Sequence, residues 1–314
     1  MARPLRILYA DAFYHVAARG NEKKPIFKNE KDYGRFLLYV EAVVERYGAV
    51  IHAYCLMDNH YHLLLQTPRA NLPEIMQYIN GSYTTYVNKK RQRAGHLFQG
   101  RYKAILIDAD TYAQELSRYI HLNPVRAGIV QNPENYPWSS YQVYCGKKNA
   151  PKWLTIKFIL DYFDERTKVG QMKYREYVQA KMGQRYEDPL KGAVASSILG
   201  GEEFIRTVKK SYLQELKHDR NTPGLTALRR RHVPEIMDVV IREFKGMARL
   251  QKAVGIYVCH RYSGLRLREI GEYFGIGESA VTQASKRFSV EVENDRKLAV
   301  KIETIRTKLG LSNV

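Results

Sequence analysis

The sequence predicts an α+β protein: an antiparallel sheet packed with helices up to about Val130, then an all-helical C-terminal region with a helix-turn-helix. Two observations carry this. Up to Val130 the apolar residues switch between the two-residue period of strands and the 3.6-residue period of helices. After about residue 235 only the helical period persists. Hydrophobic residues make up 45% of the 314, enough for an ordinary soluble core.

Ala12–Ala18 alternates as a strand. Asn29 opens a helix to about Tyr47, with Tyr33, Phe36, Leu37, Val40, Val43 and Val44 at helical spacing and Gly48 as its stop. Ala49–Met57 and His60–Gln66 read as strands joined by the Asp58-Asn59 turn. Leu72–Lys90 is a helix with Pro73 in its first turn. Tyr102–Ile107 is a fourth strand. Thr111 caps a helix expected to end near Leu122, before Asn123-Pro124. The order is that of a split βαβ, ferredoxin-like sheet with helices on one face. The other face is left open, a platform for nucleic acid. Further on, Trp153–Phe163 and Met172–Met182 read as helices, with breaks at Gly200-Gly201 and Thr222–Gly224. The expected domains are 1–145, a helical connector 146–245, and 246–314.

The charge balance points to a polyanion. Lys and Arg number 51 against 32 Asp and Glu, a net charge of +19. Each phosphate contact by such a chain releases condensed counterions. No apolar run approaches the ~20 residues of a membrane span, and Met1–Arg6 shows no signal-peptide pattern. Cys55, Cys145 and Cys259 form no CxxC pair, which excludes a zinc ribbon and suggests a cytoplasmic protein.

His60 and His62 are two apart on a strand, so they share a face opposite Tyr61, Leu63 and Leu65. Two such imidazoles can hold one metal, or can simply be hydrogen-bonded strand histidines. Tyr119 and Asn123 are four apart and share a helix face. An amide oxygen at Asn123 suits a hard cation. Tyr119, one of 24 tyrosines, is either a core aromatic or a nucleophile needing a polarised electrophile. A metal-bound phosphodiester would be one. Tyr112, seven residues earlier, is the competing choice, and His121 falls off the face. Arg101 and Lys103 alternate onto one face of the fourth strand as candidate phosphate contacts, and Lys89–Arg93 is a denser basic run.

Three segments then carry a family resemblance: Asp58–Leu64 (DNHYHLL), Leu97–Lys103 (LFQGRYK) and Arg118–Gly128 (RYIHLNPVRAG). With Arg19–Phe27 (RGNEKKPIF) they resemble the REP-associated tyrosine transposases, members of the HUH single-tyrosine superfamily, over about the first 145 residues. The resemblance implies an HUH nuclease core in which His60, His62 and Asn123 hold Mg²⁺ or Mn²⁺. It implies that Tyr119 attacks single-stranded DNA carrying a hairpin, forming a 5′-phosphotyrosine and freeing a 3′-hydroxyl. Tyr61 is bulkier and more polar than the usual residue between the two histidines. Arg19 and Arg126, inside the matching segments, join Arg101 and Lys103 as expected DNA contacts.

Leu267–Ala284 has helix-turn-helix spacing: Leu267, Ile270 and Phe274 inward, Gly275 at the turn, then Ile276, Val281 and Ala284 inward. Ser279, Thr282, Gln283, Lys286 and Arg287 are left to face a major groove. Ala253–Phe288 also resembles the DNA-binding domain of the DnaA replication initiator, which implies duplex DNA as a second partner. The expected activity is metal-dependent cleavage and joining of single-stranded DNA. The alternative is a domesticated, non-catalytic DNA-binding regulator, which would need neither the histidine pair nor Tyr119.

Overall fold

A computed structural model describes residues 7–184, 188–194, 196–215, 232–263, 265–309 and 311. They fall into two compact units, 7–215 and 232–311. The break expected at Thr222–Gly224 lies outside the described residues.

The first unit is built on a five-stranded sheet of order β2-β3-β1-β4-β5. Its strands are β1 (Ala12–Arg19), β2 (Val50–Leu56), β3 (His60–Thr67), β4 (Lys103–Ile107) and β5 (Ile198–Leu199). The first four pair antiparallel in the expected ferredoxin-like order, and the two-residue β5 adds parallel to β4. Helix α1 (Glu30–Tyr47) starts where the Asn29 side chain accepts the Asp32 N–H, and stops at Gly48 with φ 69°. Both ends follow ordinary capping chemistry. Helix α2 (Leu72–Lys90) has the expected bounds, with Pro73 in its first turn. Phe36 of α1 packs on Tyr61, whose hydroxyl donates to Asn80 of α2 at 2.7 Å. These two helices therefore cover the Tyr61–Leu63–Leu65 face.

The other sheet face is not open. Helix α3 (Ala109–Arg126) lies on it, burying Tyr119, Ile120 and Leu122 in a core with Ala53, Cys55 and Leu64. The apolar residues on that face, Ala53, Cys55 and Leu64, exclude an open platform, since leaving them in water would forfeit about 25 cal/mol per Å². Helix α3 also runs past Pro124 instead of ending at Leu122. The proline removes one donor, yet Ala127 N–H bonds to Asn123 O and Ile129 N–H to Pro124 O, so the last turn survives. Thr111 lies inside the first turn, donating to Asp108, which occupies the cap position.

After α3 come the short helices α4 (Tyr141–Tyr144) and α5 (Lys157–Leu160), then α6 (Thr167–Gln179) and α7 (Glu202–Glu215). The helix expected from Trp153 shrinks to α5 because Leu154 bridges to Ile51 and Thr155 N–H bonds to Ile51 O, holding that stretch extended at the sheet edge. The helix expected from Met172 begins earlier, at Thr167, and ends at Gln179. A buried polar chain ties α3 to its supports: His121 meets Tyr174 of α6 at 2.6 Å and Ser140 at 2.7 Å. Ser140 Oγ in turn accepts the Tyr54 N–H of β2 at 3.0 Å, and Tyr174 donates to Ser117. Every member has a partner, so the hydrogen bonds offset the cost of burying the chain while it fixes α3.

The second unit holds α8 (Val233–Glu243), α9 (Ala248–Tyr262), α10 (Leu267–Phe274), α11 (Glu278–Asn294) and α12 (Arg296–Leu309). Their core gathers Ile236, Val240, Val254, Val258, Ile270, Val281, Phe288, Ile302 and Ile305. It takes in α8, upstream of the boundary expected at 246.

Candidate active site

Strand register assembles the site on the face that α3 covers. Directly opposed residues of a sheet point to the same side. His60 opposes Arg19, and His62 opposes Ala17, which on its other side opposes Lys103. His15 opposes Leu64 and Ile105. Arg19, Lys103, His15, His60 and His62 therefore share one face. The small side chain of Ala17 separates His62 from Lys103.

The His60 and His62 rings stand 5.0 Å apart, centroid to centroid. His62 Nδ1 lies 3.0 Å from His15 Nε2, and His60 Nδ1 lies 2.6 Å from Asn59 Oδ1. Each ring is thus oriented through Nδ1, which leaves Nε2 to bind. Metal-ligating histidines are commonly held this way. Burial is the main cause that lowers the His60 pKa to about 4, and it takes His62 well below its ordinary value, so both imidazoles are neutral. Neutral imidazole is the ligating form. His15, buried and likewise lowered to about 4 by burial, was not anticipated from the sequence. Only the β1–β3 pairing brings it to His62.

Tyr119 is 6% exposed. Its ring stands edge-on to His62 at 5.9 Å and to His15 at 6.2 Å, and the Arg126 guanidinium carbon lies 4.8 Å from its centroid. Its hydroxyl donates to Asp188 Oδ2 at 3.4 Å. Burial first, then the Asp188 charge, raises the Tyr119 pKa, while Arg126 opposes the rise. The phenol is therefore protonated at neutral pH. Tyr112, the competing choice, packs elsewhere, against Ile107, Leu116 and Leu199. Asn123 donates through Nδ2 to Tyr119 O at 2.8 Å, so its Oδ1 is the atom left for a cation. Asp188 was also missed; it lies 69 residues from Tyr119 in the chain, and nothing in its surroundings resembles a motif.

Among the described residues no group of three His, Cys, Asp or Glu side chains stands together to hold a metal ion. A site here draws on two imidazoles and an amide oxygen, leaving positions for water and phosphate oxygens. That donor set lacks the thiolates that select softer ions, and its amide oxygen is a hard donor beside two borderline imidazoles.

The loop Leu97–Lys103 docks at this end of the sheet. Gln99 N–H bonds to Arg19 O and Asn21 N–H to Leu97 O, while Gly20 N–H bonds to Asn59 O. Gly20 cannot be larger, because a Cβ there would stand 2.2 Å from Lys24 O. Arg19, Arg101, Lys103 and Arg126 are all exposed. In the second unit, α10 ends at Gly275 with φ 65°, and a three-residue turn leads to α11. Gly271 must lack a side chain, since a Cβ would meet Ile276 O at 2.5 Å where the chain doubles back. Ser279, Thr282, Gln283, Lys286 and Arg287 are exposed along α11, opposite Val281 and Phe288.

Residues 9–123 match the family model described as "Transposase IS200 like". A curated Haemophilus influenzae protein, named as a candidate REP-associated tyrosine transposase, is 31% identical over 108 residues. That match takes 31% of this chain and spans 61% of the relative's length. A solved REP-associated tyrosine transposase bound to a REP hairpin is similar at 16% identity and a TM-score of 0.42, covering 49% of this chain and 92% of that one. A crystal structure of a candidate transposase from Deinococcus radiodurans is similar at 18% identity and a TM-score of 0.28, covering 38% of this chain and 95% of that one.

Proposed function

We propose that the chain is a transposase that cuts and rejoins single-stranded DNA through Tyr119, with Mg²⁺ or Mn²⁺ held by His60, His62 and Asn123. One observation carries this most directly: α3 lays the Tyr119 ring edge-on against His62, while the competing Tyr112 packs away from the histidines. The match of residues 9–123 to a transposase family and the name of the Haemophilus influenzae relative support it. A bound divalent ion would act as a Lewis acid on the scissile phosphate.

The protein's own groups do the rest. Tyr119 Oη bonds to phosphorus as the P–O3′ bond breaks. The phenol proton is released and the departing 3′ oxygen takes one up, giving a 5′-phosphotyrosine and a free 3′-hydroxyl. Attack by a 3′-hydroxyl on the phosphotyrosine reverses the step and joins strands. His15 and Asn59 hold the ligand imidazoles in orientation. Arg19 and Lys103, on the same sheet face, and Arg101 and Arg126 beside it, meet the backbone phosphates and position the strand.

The test is incubation of the protein with labelled single-stranded hairpin DNA from around its own gene, with and without Mg²⁺. A metal-dependent covalent protein–DNA band is expected. Binding without any such band would leave a DNA-binding regulator as the better account.

The α10–α11 pair is proposed to be the duplex reader, a helix-turn-helix presenting Ser279, Thr282, Gln283, Lys286 and Arg287 to a major groove. Duplex DNA is then a second partner. Ending the chain after residue 217 should weaken binding to long duplex DNA and flatten its salt dependence, because phosphate contacts are lost. Cleavage of a short hairpin at saturating protein should survive, since Tyr119 and its neighbours lie within the first compact unit. Loss of hairpin cleavage in the folded fragment would instead make the C-terminal helices part of the active site.

A further inference from the structure

We infer that Arg118 and Tyr177 form a rotational lock on α3: the buried Arg118 guanidinium, seated over the Tyr177 ring, positions the neighbouring Tyr119 against the histidines and takes no part in holding DNA. The inference rests on Tyr119 being the nucleophile. It goes further because Tyr177 belongs to α6, outside residues 9–123, the stretch that matches the transposase family.

An arginine beside the proposed nucleophile of a chain with net charge +19 invites reading as a phosphate contact. Its surroundings give it another task. Arg118 is 7% exposed, whereas Arg19, Arg101, Lys103 and Arg126 are exposed. Its guanidinium carbon lies 3.9 Å from the Tyr177 ring centroid, and its Nη1 donates to Tyr177 O at 3.3 Å. Nη2 pairs with Glu115, three residues earlier on α3. Tyr177 Oη donates to the same Glu115 oxygen, Oε2, at 2.9 Å, which closes a triangle between the two helices. The Tyr177 ring is itself backed by Phe163, at 5.1 Å between centroids.

Neighbouring residues of a helix point about 100° apart, so fixing the direction of Arg118 fixes that of Tyr119. Arg118 and His121, three apart, share the side of α3 that meets α6, where His121 reaches Tyr174 at 2.6 Å. Tyr119 and Asn123, four apart, share the side that meets the histidine pair. Two anchors along α6 resist rotation of α3 better than one. The stakes are catalytic, because a misplacement of about 1 Å at a reacting atom can cost about 10²-fold in rate. A planar guanidinium can lie over a ring and donate from its edge at once, which a lysine ammonium cannot do.

The experiment is single-turnover adduct formation with labelled hairpin DNA from around its own gene, alongside DNA affinity and its salt dependence, in the full chain. Arg118→Lys and Tyr177→Ala should each slow adduct formation at least about tenfold, with affinity unchanged within about twofold. Arg118→Ala should leave the slope of log affinity against log salt unchanged, whereas a lost phosphate contact would reduce it by about 0.7 on single strands. Arg118→Lys keeps the charge that a phosphate needs, so its slowing separates the lock from a DNA contact even where Arg118→Ala does not fold. Tyr177→Phe, which keeps the ring under the guanidinium, should stay within about threefold of wild type. Val178→Ala, which opens space beside the next residue of α6 but leaves the triangle, should also remain near wild type. A ¹³Cζ label placed at Tyr119 alone gives a readout without metal or DNA. Its resonance should move in Arg118→Lys and Tyr177→Ala and stay in Val178→Ala.

A shallower salt slope in Arg118→Ala, or a wild-type rate in Arg118→Lys, would make Arg118 a phosphate contact and overturn the inference. A folded Tyr177→Ala protein as fast as wild type overturns it as well, and leaves Tyr119 as the nucleophile. Equal slowing by Val178→Ala would reduce the lock to general packing. If wild type forms its adduct at another residue, the proposed nucleophile falls; a Tyr119 resonance that still moves in Arg118→Lys would show that the lock itself stands.

Discussion

Replacing Tyr119 by phenylalanine is expected to abolish the covalent protein–DNA adduct, a loss on the order of 10³-fold or more, while DNA affinity changes by less than about twofold. The asymmetry follows from what the substitution removes. Phenylalanine keeps the ring that packs edge-on against His15 and His62 and lies beside Arg126. Only the hydroxyl goes, and with it the long hydrogen bond to Asp188, worth about 1 kcal/mol or less, and the hydrogen bond with Arg126. The exposed basic residues proposed to hold the strand are untouched. Tyr112→Phe is the matched control, since Tyr112 packs against Ile107, Leu116 and Leu199, away from the histidines. It should form adduct at the wild-type rate. Persistence of the adduct in Tyr119→Phe, with its loss in Tyr112→Phe, would reverse the assignment.

Much of the scaffold was readable because local chemistry decides it. Asn29, Gly48 and Pro73 set the ends of α1 and the start of α2 where capping and proline preferences place them. Period-2 alternation correctly divided Tyr61, Leu63 and Leu65 from His60 and His62. What failed was non-local. Asn123-Pro124 signals a stop, but the helix continues because later donors still find carbonyls and the proline ring is buried. The sheet face expected to be open is covered, since alternation shows that a face is apolar without showing what covers it. Leu154 gives up a helical pattern to bridge with Ile51, a partner 103 residues earlier in the chain. The site divides along the same line. His60, His62, Tyr119 and Asn123 carry spacing that a sequence displays. His15 and Asp188 carry none, because each reaches the site through strand pairing or chain return.

Replacing His62 by alanine is expected to remove divalent-ion binding and DNA cleavage together, and His60→Ala should do the same. Two imidazoles and one amide make a sparse protein ligand set, so losing either ring leaves too little to hold a hard cation against its hydration shell. The two substitutions should differ in their effect on folding. His62 is 8% exposed and packs with His15 and Tyr119, so its truncation opens space under α3 and should lower stability by about 1–3 kcal/mol. His60, at the strand's first position and half-buried, should cost less. The pH dependence of Mn²⁺ binding tests the geometry independently of catalysis. Protons compete with a metal only when the imidazole can be charged. With His60 lowered to about 4 and His62 well below its ordinary value, both rings stay neutral down to pH 6. Affinity measured by titration calorimetry should then change less than about twofold between pH 7.5 and pH 6. Two ordinary imidazoles of pKa ~6.5 would each lose about fourfold over that interval, or roughly 15-fold together. A fall of that size would place the two rings in solvent and not beneath α3. Mn²⁺ binding that survives both alanine substitutions would move the metal away from this histidine pair altogether.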